Sequence, residues 1–223
     1  MFRSMQKSQS GKTLLDVDSA YQNIIVENKP NDGLTLYLDG AIQFSERTEN
    51  IYHNTLGKYP LLRNPNIRKV FIMGGGDGLL ARTMFDAKPS LDITVCELDP
   101  MMIDIFKRVS SLRRLNKGSL LKTRNITDDA LKIVKMLPNA SFDLVVSDFP
   151  DYNVGTTRLY SPSLYTDVAR ILRRRGMLSI YTGGRTPEVK RDLGLSFNMI
   201  KTMFIKPPTV GSGYILNAIK RGK

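Results

Sequence analysis

The sequence predicts an α/β protein with a mostly parallel sheet, preceded by a small antiparallel β domain. Three observations carry this. From Arg68 onward, short apolar runs alternate with helical segments, which implies βαβ units with right-handed crossovers. Before that point, strand-like runs follow one another across turns, with no helix between them. The first alternating strand runs straight into Gly74-Gly75-Gly76-Asp77-Gly78, a glycine-rich turn that opens a helix.

Residues 1 to 20 are expected to be mobile. "YQNIIVEN" and "LTLYLDGAIQFS" are rich in Ile, Val, Leu and Tyr, with "KPNDG" and "LDG" as turns, and predict the small antiparallel sheet. "ENIYHNTLGKYPLL" has helical spacing and links the two parts. The boundary is placed so that residues 1–62 form the β domain with its linking helix and 63–223 the larger catalytic domain. There "KVFIMG", "DITVCEL", "SLLKTRN", "FDLVVSDF" and "GMLSIYT" read as strands. "DGLLARTMFDA", "PMMIDIFKRVSSL", "DDALKIVKML" and "SPSLYTDVARILR" read as helices, the last with Ser161 as N-cap and Pro162 at the first position. "MIKTMFIK" and "GYILNAIK" close the sheet as an antiparallel pair.

Composition narrows the function classes. With 223 residues, 41% apolar and 24% charged, the chain is long enough to bury a full core. No apolar run approaches the ~20 residues of a membrane span, and the polar N-terminus lacks a secretory signal. One cysteine, Cys96, and one histidine exclude an intramolecular disulfide and a Cys/His metal site. A cytoplasmic enzyme without a metal is therefore expected. The 33 Lys and Arg against 21 Asp and Glu give a net charge of +12, but no nucleic-acid-binding motif accompanies them. A solvated basic surface is favoured over a nucleic-acid partner.

In a doubly wound sheet the ligand sits beyond the carboxyl ends of the strands. Against the basic background, those ends gather acids: Asp77 among the glycines, Glu97 and Asp99, Asp128 and Asp129, then Asp148 and Asp151. Each alone has an ordinary explanation as a turn former or helix cap. Together they ask for a cationic ligand and make phosphate a poor guest. A nucleoside with a sulfonium tail fits, with Glu97 on the ribose hydroxyls, Asp129 on the adenine amine and Asp77 near the tail. Asp77 would repel the carboxylate of S-adenosylmethionine and attract the bare amine of its decarboxylated form.

At these residues the chain resembles the spermidine synthase (polyamine aminopropyltransferase) family. The matching pieces are "YQNIIV", "LYLDGAIQFSERTENIYHN", "VFIMGGGDGLLART", "VCELDPMMID", "DDAL", "FDLVVSDFPD", "RLYSPSLY" and "PPTVGSGYILNAI", in the family's order over roughly residues 20 to 219. The resemblance implies a Rossmann-like S-adenosylmethionine-dependent transferase fold, with decarboxylated S-adenosylmethionine as cosubstrate, no tightly bound cofactor and a putrescine-like amine as acceptor. It also implies a homo-oligomer, dimeric or tetrameric. Gln22 and His53 then face the nucleoside, as do Gly74, Gly75, Gly76 and Gly78, with Asp77 at the aminopropyl amine and Glu97 on the ribose. Asp129, with Asp128 as register alternative, takes the adenine. Asp148 is the catalytic aspartate assisted by Tyr52, and Asp151 helps hold the diamine.

The departures cluster at the acceptor. Thr48 replaces an acid in "ERTE", Phe149 and Pro150 follow the catalytic aspartate, and Tyr152 follows Asp151. The next segment reads "NVGTTRLYS", and the chain has no tryptophan, so Tyr214 is expected to stand in as an aromatic wall. Two other readings stand beside the lead: a putrescine-type N-methyltransferase using S-adenosylmethionine, opposed by Asp77, and a catalytically degenerate nucleoside-binding homologue, opposed by the intact Tyr52, Asp77 and Asp148.

Overall fold

The computed structural model describes residues 11–149, 154–207 and 212–222. Its first layer is an antiparallel sheet of β1 (Lys12–Asp18), β2 (Asn23–Lys29), β3 (Gly33–Leu38) and β4 (Ala41–Ser45), in that spatial order. Residues 12–18, expected to be mobile, form a strand because β2 offers them an antiparallel partner, with Val17 opposite Ile24 and Leu15 opposite Val26. Ile24, Val26, Leu34, Leu36 and Phe44 are buried, as the period of two requires for a one-sided sheet.

The link "ENIYHNTLGKYPLLR" is one rod with a fault in it. Helix α1 (Glu49–His53) passes into a π-helical turn (Asn54–Lys58) and then α2 (Tyr59–Arg63). Pro60 has no N–H to give the Leu56 carbonyl, and the buried Ser179 hydroxyl donates to it instead at 2.8 Å. The rod is thereby tied to the large sheet.

That sheet holds β5 (Lys69–Gly74), β6 (Asp92–Glu97), β7 (Arg124–Thr127), β8 (Phe142–Asp148), β9 (Leu172–Tyr181), β10 (Phe197–Ile205) and β11 (Gly213–Lys220). Their spatial order is β10-β11-β9-β8-β5-β6-β7. Strands β5 to β9 run parallel, and β11 is antiparallel to both neighbours. The connecting helices are α3 (Leu79–Ala87), α4 (Pro100–Arg108), α5 (Ser110–Leu115), α6 (Ala130–Met136), α7 (Pro162–Ile171) and α8 (Thr186–Leu193). The chain leaves β5 for β6 on one side and returns to β8 on the other, so the strand order reverses between β5 and β8. Gly74 and Asp148 face each other across that switch point.

Val70 and Ile72 pack on one face of the sheet in the same cluster as Ile24, Leu36 and Phe44 of the first layer. Phe71 and Met73 pack on the other, against Tyr165 and Val168 of α7. Three local expectations change. The predicted strand over 119–125 begins only at Arg124, because Ser119–Leu121 is a 3₁₀ turn that braces the glycine loop. The helix from Pro100 breaks at Val109, which is extended. Helix α8, not anticipated from the sequence, covers the connection from β9 to β10. Among the described residues no helix is long and apolar enough to cross a membrane.

Candidate active site

A cavity of about 650 Å³ opens beyond the carboxyl ends of β5, β6 and β8, roofed by residues of the small sheet and α1. The glycines make room for it. Gly74 has φ of 85°, and a Cβ there would collide with the Asp148 carbonyl oxygen. A Cβ on Gly76 would lie 2.5 Å from Glu97 Cγ, so only glycine lets the turn approach that side chain.

One wall is fastened by backbone amides. Glu97 accepts the Gly76 N–H at 3.1 Å and the Asp99 N–H at 3.0 Å. Burial pushes its carboxyl up to about 6 in spite of those bonds, and the charge of Asp77 adds to the rise. Asp77 accepts the Leu79 N–H at 2.8 Å. Burial raises it to about 6 as well, with His53 opposing and Asp148 reinforcing. Beneath the turn, the buried Asn116 amide donates to the Asp77 carbonyl at 3.0 Å and the Ser119 hydroxyl to the Gly78 carbonyl at 2.7 Å. Asp99 caps α4 through the Met101 N–H at 2.9 Å and accepts Gln22 Nε2 at 3.0 Å, which ties the small sheet to the large one. Asp129 caps α6 through the Leu131 N–H at 2.9 Å, and its other oxygen pairs with Arg158 at 3.2 Å.

The opposite wall is assembled from side chains distant in sequence. Tyr52 of α1 donates its hydroxyl to Asp148 of β8 at 2.6 Å, and its ring lies edge-on to Tyr181 at 5.3 Å. Burial and the Asp148 carboxylate hold the Tyr52 phenol well above its usual 10, so it stays a donor. Burial also raises Asp148, against the pull of His53 and of the Tyr52 hydrogen bond. His53 is buried beside Tyr52, its Nδ1 2.6 Å from Glu49 Oε2. Burial pushes the imidazole down, but Glu49, Asp77 and Asp148 outweigh it and its pKa is raised. Arg82 of α3 donates to both oxygens of Glu49, at 2.8 and 2.9 Å. The cavity thus gathers the half-buried carboxylates of Asp77, Glu97 and Asp148, an environment that favours a cation.

The profile of the "Spermine/spermidine synthase domain" matches residues 49–203, more than half of the chain. The chain belongs to the spermine/spermidine synthase family. Family relatives include a polyamine aminopropyltransferase of Leptospira interrogans, 32% identical over 182 residues, covering 80% of this chain and 36% of that protein. Another, from Mycobacterium tuberculosis, is 38% identical over 170 residues, covering 74% and 32%. Spermidine synthase 1 of Pisum sativum is 32% identical over 167 residues, covering 75% and 50%. The chain therefore spans about a third to a half of the length of these relatives. Among solved structures, a spermidine synthase in complex with the transition-state analogue AdoDATO superposes with a TM-score of 0.81 at 23% identity, covering 94% of this chain and 73% of the other. The spermidine synthase from Thermotoga maritima gives 0.83 at 22%, with the same coverage. These likenesses show the shared fold.

The residues singled out for the family's chemistry divide clearly. Gln22, Tyr52, His53, Gly74, Gly75, Gly76, Asp77, Glu97, Asp129 and Asp148 line the one cavity. Asp128 does not: it turns to solvent, held by Lys132 at 2.8 Å, so Asp129 is the acid of that pair that reaches the pocket. Gly78 sits beneath, as the left-handed N-cap of α3. Tyr214 is 37% exposed and packs on Phe204 at 5.1 Å, away from the cavity lining. The aromatic edge against Tyr52 comes from Tyr181, which stands at the end of β9 and was findable by carrying the strand-end reading one strand further. Arg158 was also not singled out, because its partner lies 29 residues away, nor was Glu49, although its i,i+4 spacing to His53 was a readable signal and only Arg82 lies 33 residues away. Thr48, where the family has an acid, is buried against the Ser45 hydroxyl at 2.9 Å. Asp151, with Pro150 and Tyr152, lies outside the described residues.

Proposed function

We propose that this chain transfers the aminopropyl group of decarboxylated S-adenosylmethionine to putrescine or a related amine, releasing 5'-methylthioadenosine. The observation that carries the reading is the pairing, in one cavity, of a half-buried Asp77 in the glycine turn with a half-buried Asp148 that accepts the Tyr52 hydroxyl. In this reading Glu97 receives the ribose hydroxyls, Asp129 the adenine amine, and Asp77 the free amine of the aminopropyl tail. The acceptor amine, an ammonium of pKa ~10 in water, must lose a proton before it can attack. Asp148 holds that ammonium and takes the proton, while Tyr52 fixes the carboxylate. The amine lone pair then forms the new C–N bond to the methylene next to sulfur. The C–S bond breaks, its electrons neutralise the sulfonium, and a neutral thioether leaves.

Binding the two amines at separate acids leaves no place for the carboxylate of S-adenosylmethionine beside Asp77. Asp151 is assigned to the far ammonium of the acceptor. Cys96, a free and buried thiol, suits a cytoplasmic setting. The exposed Phe204 on the edge strand β10 and Tyr214 on its neighbour β11 support a homo-oligomer.

Calorimetric titration with the two donors tests the reading, followed by mass spectrometry of products from a panel of amines. The decarboxylated donor is expected to bind at least about tenfold tighter, the effect of one repelled carboxylate. Equal or tighter binding of S-adenosylmethionine overturns it.

A further inference from the structure

Behind the reacting end of the cavity runs a line of charge that the proposed chemistry leaves unused. Glu49 and His53 lie one turn apart on α1, with the carboxylate 2.6 Å from Nδ1. Arg82 grips the same carboxylate from α3 and anchors its other arm on the Leu115 carbonyl at 3.2 Å. The side chains of Glu49 and His53 are each 5% exposed and that of Arg82 12%. Taking this many ionisable groups out of water is costly, and apolar side chains would hold α1 to α3 at least as well. Arg82 does not line the cavity, whereas His53 does. With Nδ1 engaged by Glu49, the ring's one remaining polar atom is Nε2.

We propose that Glu49 and Arg82 are positioning residues: Arg82 fixes the Glu49 carboxylate, Glu49 orients His53 and keeps it an imidazolium, and that cation keeps Asp77 and Asp148 ionised for the two amines they receive. This rests on the aminopropyl-transfer reading. The charged groups acting on His53 are Glu49 from its own helix, Asp77 from the glycine turn and Asp148 from β8, with the Tyr52 ring against it at 5.2 Å. Arg82 stands behind Glu49. All three carboxylates favour the imidazolium, and it in turn offsets the burial that drives Asp77 and Asp148 toward their neutral forms.

His53 is the single histidine of the chain, so its imidazole resonances in an NMR pH titration need no assignment. In the unaltered protein the ring is expected to titrate above the ordinary 6.5. Glu49→Gln keeps the volume and a hydrogen bond but removes the charge, and is expected to lower that midpoint by about one pH unit or more. Its kcat should fall about tenfold at pH 7 and recover toward pH 9, because the acid limb moves up with Asp148. A packing role alone would lower kcat equally at every pH. Arg82→Lys, which retains the cation, is expected to keep the upward histidine shift and most of the rate. If Glu49→Gln does not fold, Glu49→Asp replaces it: its arm is one methylene shorter, so the carboxylate withdraws from Nδ1, and the histidine midpoint and the rate are expected to move in the same direction by a smaller amount.

A histidine midpoint within about 0.2 pH unit of the unaltered protein overturns the coupling, and a moved midpoint with an unmoved rate profile overturns the positioning role. Should the unaltered protein turn over no amine, the aminopropyl reading fails and the role tied to it falls with it. The NMR titration still decides the coupling by itself.

Discussion

The two walls of the cavity are built by different means. On the nucleoside side, each carboxylate accepts a backbone amide two residues further on, and Glu97 also accepts one from the glycine turn: Asp77 from Leu79, Glu97 from Asp99 and Gly76, Asp129 from Leu131. On the reacting side, Asp148 is set by Tyr52, 96 residues earlier, and His53 is tied through Glu49 to Arg82 on another helix. The first wall's carboxylates are held mainly by local turns, which Gln22, Asn116 and Ser119 brace from elsewhere in the chain. The second requires α1, its π-helical turn and the large sheet to be docked in register, with Ser179 holding the Leu56 carbonyl. Donor recognition is therefore expected to tolerate change that chemistry does not.

The largest break in that comparison comes at Asp148. Asp148→Asn is expected to lower kcat by about 10² to 10⁴, the usual worth of a general base, while donor affinity changes little. Tyr52→Phe removes one hydrogen bond to a charged group, which corresponds to a loss of about ten- to a hundredfold. Single-turnover kinetics beside calorimetry separates the two quantities. Equal losses in donor binding would mean that the walls are not independent.

A second test uses pH. Asp77 and Glu97 are raised to about 6 in the folded protein from ordinary values of 3.8 and 4.5. The folded chain therefore binds these protons more tightly than the unfolded one. Each group contributes stability that is complete below its unfolded pKa and lost as pH rises through about 6. Each shift corresponds to about 2–3 kcal/mol. His53, also raised, acts in the same direction above its ordinary 6.5. Glu49 and Asp143 are lowered, so their contributions are lost only at more acid pH, below the window of interest. The apo protein is expected to melt several degrees higher at pH 5.5 than at pH 8, and the decarboxylated donor to shrink that difference because it binds the ionised forms. Scanning fluorimetry across that range, with and without donor, reads both effects. A flat apo profile would place these carboxylates in contact with water.

The same contrast explains what the sequence revealed. The parallel sheet, the glycine turn and the acids at the strand ends are short-range features, readable from apolar runs, turn residues and helix caps such as Ser161 and Asp99. β1 was missed because its strand character comes from its pairing with β2. The segment around Ser119 resembles a strand in composition, yet serves as a brace whose hydrogen bonds reach 41 residues back to Gly78. Tyr214 was chosen for its aromaticity in a late motif. Alternation along β11 sends Ile215 and Leu216 into opposite cores and leaves the Tyr214 ring at the strand's exposed start. Asp128 and Asp129 could not be ranked by spacing alone. The order is set by the helix that Asp129 caps, with Lys132 one turn later drawing Asp128 outward.

The smallest effect is expected at a solvent-exposed contact between a side chain distant in sequence and the nucleoside wall. Arg158 pairs with Asp129 at 3.2 Å, but its side chain is 61% exposed, and such pairs are worth about 0–1 kcal/mol. One oxygen of Asp129 is already committed to the Leu131 amide, so Arg158 competes with an adenine amine for the other. Arg158→Ala is therefore expected to lower the donor KM by no more than about fivefold and leave kcat unchanged. Raising the salt concentration should bring the unaltered protein toward the variant, because an exposed pair is screened within a Debye length of about 8 Å at physiological ionic strength. A rise in donor KM instead would make Arg158 a contact to the donor, and donor binding itself would then depend, like the chemistry, on a side chain distant in sequence.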